Sequence, residues 1–307
     1  MINEEISKEA GQAAQTIITY TIKAAKESIN LDKEIRKKMN KTLEKANGNL
    51  KRLMGDEIKI KDLYKKGQLE NISIDQSDIK DLKKELNKLG VSFSVMKNKE
   101  NQNYEIFFQA KDIKVMEYAF KQVIAKENKK EKEVIAANAI HMVKDHMCIF
   151  LDASSTAYTL GMKLTGFTEL TVITNGIDLA LALKDIPGIT VILTGGIVTS
   201  ASSSIEGLLG VDLLQKIHTD IAFVSARGFS VENGLTDFSI YEADLKRMCI
   251  KASAKTIALI DHTKFDTSSI SSYASIDDLN LVITDSGLSE NTKEIYEKAG
   301  VDLLIAD

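Results

Sequence analysis

The sequence predicts an α/β protein, with a parallel-sheet domain in its carboxyl-terminal half and a smaller, helix-rich α+β domain before it. Five segments support the parallel sheet, because each follows an apolar run at the point where a buried strand is expected to end. These segments are FLDASSTAY at 150–158, TVITNG at 171–176, ILTGG at 192–196, ENGLTD at 232–237 and IDHTKF at 260–265. Loops that follow parallel strands meet at one edge of the sheet, where open α/β sheets bind small ligands.

The first of these segments has the clearest chemistry. Residues 149–151 predict a buried strand, Asp152 and the hydroxyl residues after it predict a turn, and residues 158–164 have helical apolar spacing. Hydroxyls at a helix start cap backbone amides, or they share those amides with an anion such as phosphate. An N-cap at Ser154 alone is the alternative. The ligand interpretation is favoured because further polar residues and glycines follow the other strands: Asn175, Gly195, Gly196, Asp237 and Lys264.

The first domain is predicted to be mostly helical. Residues 2–28 show the apolar stripe of an amphipathic helix, and residues 31–54 predict a second helix rich in Lys and Glu. The remaining predicted elements are a short helix at Leu63 and Tyr64, a strand over 69–74, a helix over 78–89, a hairpin of 91–96 with 104–108, and a helix over 113–125. None of these resembles a winged helix-turn-helix, which needs roughly sixty residues with a recognition helix.

The boundary between the domains is predicted at 126–132, where KENKKEK offers no apolar residue to a core. We therefore predict a first domain over 1–126, a lysine-rich linker over 127–132, and a second domain over 133–307 that begins with a helix over 134–143. The charge supports two units of different character, because residues 1–132 carry a net charge of +7 and residues 133–307 carry −11.

The basic first part indicates an anionic partner. Its lysines alternate with carboxylates in EIRKKMNK and KENKKEKE, however, and a solvated helix face has the same pattern. A diffuse positive field gives salt-sensitive affinity without base reading. We therefore expect any DNA contact through residues 1–130 to be non-specific.

From residue 131 to residue 307, the order and spacing of the five segments resemble the effector-sensing domain of DeoR-type transcriptional regulators. Members of that family join this domain, which is related to ribose-phosphate isomerases and coenzyme A transferases, to an amino-terminal winged helix-turn-helix that binds DNA. The sensor recognises phosphorylated sugars or sugar metabolites and oligomerises. The resemblance thus implies an oligomeric sugar-phosphate-binding regulator that needs neither a cofactor nor a metal.

The resemblance also implies the residues that bind the ligand. Ser154, Ser155 and Thr156 match the phosphate-cradling turn, and Asp152 matches the acidic residue before it. The further matches are Thr174 with Asn175, Gly195 with Gly196, Glu242 with Lys246 on the helix after the GLT turn, and Asp261 with Lys264 in the Asp-x-x-Lys-Phe signature.

The chemistry of the residues suggests roles in such a site. Lys264 or Arg227 would supply a counter-charge to phosphate, and Asp152 and Asn175 would bond sugar hydroxyls. The alternative for Lys264 is a surface lysine packed beside Phe265. For Asp261 it is a cap of the turn at Thr263.

Residues 1–126 resemble the PcfB-like family of conjugative plasmids and transposons, whose members are accessory factors of DNA-transfer relaxosomes. The resemblance is in INEEISKEAGQAAQTIITYTIKAA at 2–25, KIKDLYKKGQLENISI at 59–74 and GVSFSVMKNKENQNYEIFFQAKD at 90–112. We therefore expect a fusion in which a PcfB-like domain replaces the helix-turn-helix. The alternative is a relaxosome accessory protein, with relaxosome proteins as partners and the sensor as a passenger.

An isomerase-like enzyme is the third alternative, and we predict against it. Sugar-phosphate isomerases need a carboxylate base, and the matching loop here reads SARG at 225–228, where they carry an acidic pair. Asp237 and Glu242 are the remaining candidates for a base. Glu206 is the one candidate for a transferase nucleophile, and its alternative role is at a helix start.

Targeting and metal signals are weak in this sequence. It has no run of eighteen apolar residues and no signal peptide, so a cytoplasmic protein is predicted. Cys148 and Cys249 have no second cysteine or spaced histidine nearby, and no metal site is predicted. Of the four histidines, only His262 falls inside a ligand-edge segment, where a ligand contact and simple exposure are both open.

Overall fold

The computed structural model describes residues 63, 69–74, 79–97, 104–198, 203–207, 209, 214 and 216–307. The helices predicted over 2–28 and 31–54 lie outside these residues, as does Tyr64. The chain divides into two units, Met1–Asn128 and Lys129–Asp307. In the described ranges no helix is long and apolar enough to cross a membrane.

The first unit contains a three-stranded antiparallel sheet. Its strands are β1 (Leu69–Ile74), β2 (Phe93–Lys97) and β3 (Tyr104–Gln109), in the order β1-β3-β2. Strands β2 and β3 form the predicted hairpin, and helix α1 (Ile79–Lys88) lies where a helix was expected over 78–89. Leu82 and Leu86 of α1 are buried with the apolar residues of the hairpin, so the amphipathic spacing of the helix supplies the core.

A single long helix, α2 (Ile113–Ala139), replaces the two helices and the linker that the sequence predicted. The segment 127–132, predicted as a linker, is therefore helical, and the division between the two units falls inside it. Lys and Glu have good helix propensity, and neither Gly nor Pro interrupts KENKKEK, so the absence of apolar residues does not end the helix. In its last turns Ile135, Ala136 and Ala139 are buried in the core of the second unit.

The second unit is built on a seven-stranded sheet. The described strands of this unit are β4 (Cys148–Leu151), β5 (Leu170–Thr174), β6 (Ile189–Leu193), β7 (Ile197–Val198), β8 (Ile205–Glu206), β9 (Thr219–Val224), β10 (Gly228–Ser230), β11 (Gly234–Asp237), β12 (Ser253–Leu259), β13 (Ser271–Ala274), β14 (Leu281–Asp285) and β15 (Leu303–Ala306). The sheet has the order β15-β14-β12-β9-β4-β5-β6. Every pairing in it is parallel, so the predicted α/β class with a parallel sheet is confirmed.

Helices cover both faces of this sheet. They are α3 (Ser155–Gly161), α4 (Ile177–Leu183), α5 (Ile240–Lys251) and α6 (Glu290–Lys298). Side chains alternate between the faces, so in β4 Phe150 joins the core with α5 and α6, whereas Ile149 and Leu151 join the core with α3, α4 and the end of α2. Because both faces are buried, the strands are continuous apolar runs, which is why the sequence located them well.

A small antiparallel sheet of β10, β11 and β13 lies beside the main one. Phe229 of β10 packs on Phe265 with ring centroids 5.4 Å apart and on Tyr296 of α6 at 5.0 Å. The Tyr296 hydroxyl donates to the Phe229 carbonyl at 2.9 Å and accepts from the amide of Asp266 at 3.1 Å. These contacts fix the chain just after Lys264.

Candidate functional site

The order of the parallel sheet reverses between β4 and β9. The chain leaves β4 toward β5 and β6 and leaves β9 toward β12, so the loops after β4 and β9 border a topological switch point, where α/β sheets bind ligands. Asp152, directly after β4, joins the two loops. Its Oδ2 accepts from the amide of Ser225 at 2.8 Å, and its Oδ1 accepts from the amide of Ser154 at 3.0 Å.

Lys246 of α5 contacts both of these loops and is only 2% exposed. Its Nζ donates to Asp237 Oδ2 at 2.8 Å and to the Ser225 carbonyl at 2.9 Å, and lies 3.1 Å from Asp152 Oδ2. Glu242, one turn earlier on α5, lies 3.7 Å from Nζ. Four of the predicted site residues therefore form one buried network, which we call the Lys246 network: Asp152, Asp237, Glu242 and Lys246.

Electrostatics keep Lys246 charged. Burial opposes the charge of Lys246, but Asp152, Tyr273, Asp237 and Glu242 together hold its pKa well above the usual range. For Glu242, burial raises the pKa of the carboxyl, and the ammonium of Lys246 partly offsets this.

The network positions the loops. Asp152 is fully buried, and both of its oxygens are bonded within the protein. The geometry thus gives Asp152 a positioning role, and the predicted bond from Asp152 to a sugar hydroxyl stays a prediction.

The hydroxyl turn after β4 begins helix α3. Ser154 is the N-cap of this helix, and Ser154 Oγ accepts from the amide of Ala157 at 3.1 Å. This is the capping role that the sequence predicts as the alternative to a ligand contact. Ser155 is exposed and Thr156 is buried. A Cβ on Gly176, in the turn after β5, would lie 3.2 Å from Ala153 Cα, so the turns after β4 and β5 are in contact.

The turn after β5 holds a buried polar group without a partner. Thr174 Oγ1 accepts from the amide of Gly176 at 2.9 Å. Asn175 is fully buried, and its Nδ2 donates to the Ile205 carbonyl at 3.2 Å. Asn175 Oδ1 has no hydrogen-bond partner among the described residues, and neither has the hydroxyl of Thr194 after β6.

The hairpin of β7 and β8 follows the third predicted loop, in which Gly195 and Gly196 are exposed. A Cβ on Gly196 would lie 2.4 Å from the carbonyl oxygen of Glu206, so close packing requires glycine there. Glu206, the candidate nucleophile, accepts from the hydroxyl of Ser239 at 2.9 Å, and Ser239 is the N-cap of α5. Glu206 thus bonds the residue that caps a helix start, which is close to the alternative role predicted for it.

The turn after β12 carries the Asp-x-x-Lys-Phe signature. Asp261 Oδ1 accepts from the amide of Thr263 at 3.1 Å and from the Thr263 hydroxyl, so Asp261 caps the turn as its alternative role predicts. Lys264 is half-buried. Arg227, after β9, is exposed, with its guanidinium 5.1 Å from the centroid of the Phe238 ring.

Sequence reasoning missed a second polar cluster, formed by Glu131, His262 and Asp285. His262 Nδ1 lies 2.7 Å from Asp285 Oδ2 and 3.7 Å from Glu131 Oε1, and the His262 amide donates to Asp285 Oδ1 at 2.8 Å. Asp285 ends the apolar run LVIT as Asn175 ends TVIT, so the same signal would have found it. Glu131 was not predicted as a site residue because it lies in the segment predicted as a linker.

The charges of this second cluster depend on one another. The hydrogen bond with Asp285 raises the pKa of His262 against the effect of burial. For Asp285, burial raises the pKa but the bonds from His262 lower it more. The pKa of Glu131 is raised by burial and by the carboxylates of Asp285 and Asp261. The ligand atoms of the three groups lie within 4.8 Å of one another, the range of a metal site, but His262 and Asp285 already bond directly and we assign the cluster no metal.

A family model for the DeoR C-terminal sensor domain matches residues 127–286. The chain belongs to the DeoR family. A second model, for a family of proteins of unknown function, matches residues 32–150.

The chain is also similar to individual known proteins. The chain is 48% identical over 180 residues to the HTH-type transcriptional regulator GolR of Listeria innocua, across 59% of this chain and 71% of the relative. It is 39% identical over 167 residues to the uncharacterized HTH-type transcriptional regulator YulB of Bacillus subtilis, across 54% of this chain and 64% of the relative. Among solved structures, the ribose 5-phosphate isomerase from Plasmodium falciparum matches at 16% identity with a TM-score of 0.33, covering 44% of this chain and 52% of the isomerase.

Replacing Lys246 by Met should destabilise this DeoR-family sensor domain by about 3–5 kcal/mol, because buried carboxylates would lose their cation. Urea unfolding at neutral pH measures the effect. Lys251→Met, at the exposed end of the same helix, is the control and should change stability by less than about 0.5 kcal/mol. Equal stability of the two variants would contradict the assignment of Lys246 as the anchor.

The stability of the sensor should depend on His262 in a pH-dependent way. Because its pKa is raised in the folded state, protonation of His262 favours folding. This contribution is fully present below the unfolded-state pKa of about 6.5 and is lost as pH rises through the folded-state value. The difference in unfolding free energy between wild type and His262→Gln should therefore shrink from mildly acidic to mildly alkaline pH. The exposed His218→Gln variant is the control, and a difference that does not change with pH would contradict the prediction.

Proposed function

We propose that residues 129–307 bind a phosphorylated sugar or sugar metabolite at the carboxyl edge of the parallel sheet, as the effector of an oligomeric transcriptional regulator. Two observations support a regulatory role: the chain belongs to the DeoR family, and the relatives named above are transcriptional regulators. The proposal further holds that a PcfB-like domain takes the place of the family's helix-turn-helix.

The observation that carries the ligand proposal is the arrangement of the turns after β4 and β5. They touch at Ala153 and Gly176, beside the switch point of the sheet. One turn presents the exposed hydroxyl of Ser155, and the other contains the unpartnered oxygen of Asn175. A buried acceptor without a partner costs about 1–3 kcal/mol, which a bond from a sugar hydroxyl would offset.

The charges around these turns suit an anionic ligand. In the Lys246 network the ammonium is surrounded by carboxylates, so this cation is saturated and serves the fold. The predicted counter-charges, Arg227 and Lys264, are in no ion pair with a carboxylate of the described residues. Cations of this kind are free to bond a phosphate oxygen.

The same geometry favours binding over catalysis. A general base must reach a substrate proton directly or through one water. Asp237 bonds to Lys246 and to the amide of Phe238, and Glu242 is buried within the network. Both carboxylates that were considered as bases are thus part of the internal structure.

A role as a relaxosome accessory factor is the second candidate function, and it concerns the first unit. It is motivated by the resemblance of residues 1–126 to PcfB-like proteins and by their excess of positive charge. In that case the sensor would be a passenger, and relaxosome proteins would co-purify with the chain. Failure to co-purify with any relaxosome component or with origin DNA would count against this candidate.

Purified protein should be stabilised by one or more members of a panel of pentose and hexose phosphates. A ligand at a hundredfold excess over its Kd adds about 2.7 kcal/mol to the stability of the native state, which raises the apparent Tm by several degrees. Ser155→Glu should abolish the shift because its carboxylate would compete with the phosphate. Ser272→Glu, on the exposed face of β13, is the control and should keep the shift. Absence of any shift with a folded wild-type sample would refute the proposal.

Binding of the full chain to duplex DNA should be weak and independent of sequence. Contacts from a diffuse set of lysines release counterions, so the affinity should fall steeply between low and physiological salt. Gel shifts with duplexes of equal length and unrelated sequence measure both properties. Selection from a random duplex pool that converged on one salt-resistant site would show instead that the chain reads an operator.

A further inference from the structure

Helix α2 brings two charged residues to the ligand edge of the second unit. Glu131 Oε1 lies 3.7 Å from His262 Nδ1, which places this part of the helix against the turn that carries Lys264. The next residue, Lys132, is partly buried and precedes the buried residues Ile135, Ala136 and Ala139 by three, four and seven positions, so it lies on the buried face of the helix. The electrostatics of this position agree, since Asp261, Lys264, Glu131 and Arg227 act on the pKa of Lys132. Two of these, Lys264 and Arg227, are the counter-charges predicted for the effector.

The acidic groups around this point are engaged within the protein. Asp285 bonds to the amide and the ring of His262 and accepts from the amide of Gly287 at 3.0 Å. Asp261 caps the turn at Thr263, and Glu131 pairs with His262.

The cations in the same region are not paired. Within the described residues, Lys132, Lys264 and Arg227 form no ion pair with a carboxylate. Burial lowers the pKa of Lys132, and the neighbouring cations Lys264 and Arg227 add to this while Asp261 and Glu131 oppose it. A dianion placed among the three cations would relieve their repulsion, with the guanidinium as a bidentate donor and the lysines as point charges.

We propose that Lys132 is a third cation of the effector site and bonds the phosphate group of the ligand together with Lys264 and Arg227. This inference rests on the proposed sugar-phosphate function and adds to it a residue that lies outside the family's ligand segments. Since Arg227 lies on a loop, Lys264 on a turn and Lys132 on a helix, one phosphate would join three elements. Effector binding would then hold α2 at Lys132.

Isothermal titration calorimetry of the full chain tests the inference, with inorganic phosphate, ribose 5-phosphate, fructose 6-phosphate and glucose 6-phosphate as probes. Lys132→Met should weaken binding of the phosphorylated probe at least about tenfold, because a charge-assisted hydrogen bond is lost. Lys130→Met removes the same charge from an exposed position of the same helix and should leave the affinity unchanged. Lys132→Arg should keep most of the affinity, and Lys132→Gln repeats the test if Met perturbs the helix.

The change in amide hydrogen exchange of residues 129–139 on adding the probe gives a second readout, because each variant without the probe serves as its own baseline for packing. The bound probe should slow exchange there in wild type and in Lys130→Met but not in Lys132→Met.

The outcomes separate the two proposals. Equal affinity and equal protection in the Lys132 and Lys130 variants would overturn the role of Lys132 and leave the effector site in place. Failure of the wild type to bind any of the probes would overturn both.

Discussion

The carboxyl edge of the sheet depends on one buried cation. Lys246 joins the loops after β4, β9 and β11 through Asp152, the Ser225 carbonyl and Asp237. Burying these charges is costly, and the close contacts of Lys246 with Asp152, Asp237 and the Ser225 carbonyl offset that cost. The positions of the hydroxyl turn and of the Arg227 loop follow from this arrangement, since both are continuous with residues that Lys246 holds.

The parallel sheet and the polar residues along its carboxyl edge could be predicted because their signal is local. A strand buried on both faces is an apolar run, and the polar residue after it marks the edge, as in Asp152 and Asn175. The roles of these residues could not be predicted, because they depend on partners distant in sequence. Asp152 has the residue type and the position expected of a ligand contact. In the structure its carboxylate instead pairs with Lys246 and accepts a hydrogen bond from the Ser225 amide. The structure thus shows a positioning role for Asp152, and its bond to a sugar hydroxyl stays a prediction.

The continuity of helix α2 could not be predicted for a different physical reason. Lysine and glutamate are common both in solvated linkers and in helices, so composition alone could not separate the two. The segment KENKKEK also contains no apolar residue that would show which of its side chains are buried. Glu131 meets His262 only because the buried residues Ile135, Ala136 and Ala139 fix the rotation of the helix on the sheet. The packing of these three residues thus determines which groups surround the charged residues earlier in the same helix.

The division of charge between core and edge bears on how the proposed effector would act. Lys246 already has internal carboxylates as partners, so an added anion would gain little from it. Lys132, Lys264 and Arg227 have no such partners among the described residues, so the charge of a ligand acts on them. A ligand can shift a conformational equilibrium only by its differential affinity for the two states. If the proposed site is occupied, the elements that carry these three cations would be the ones that transmit binding, and of these α2 leads out of the domain.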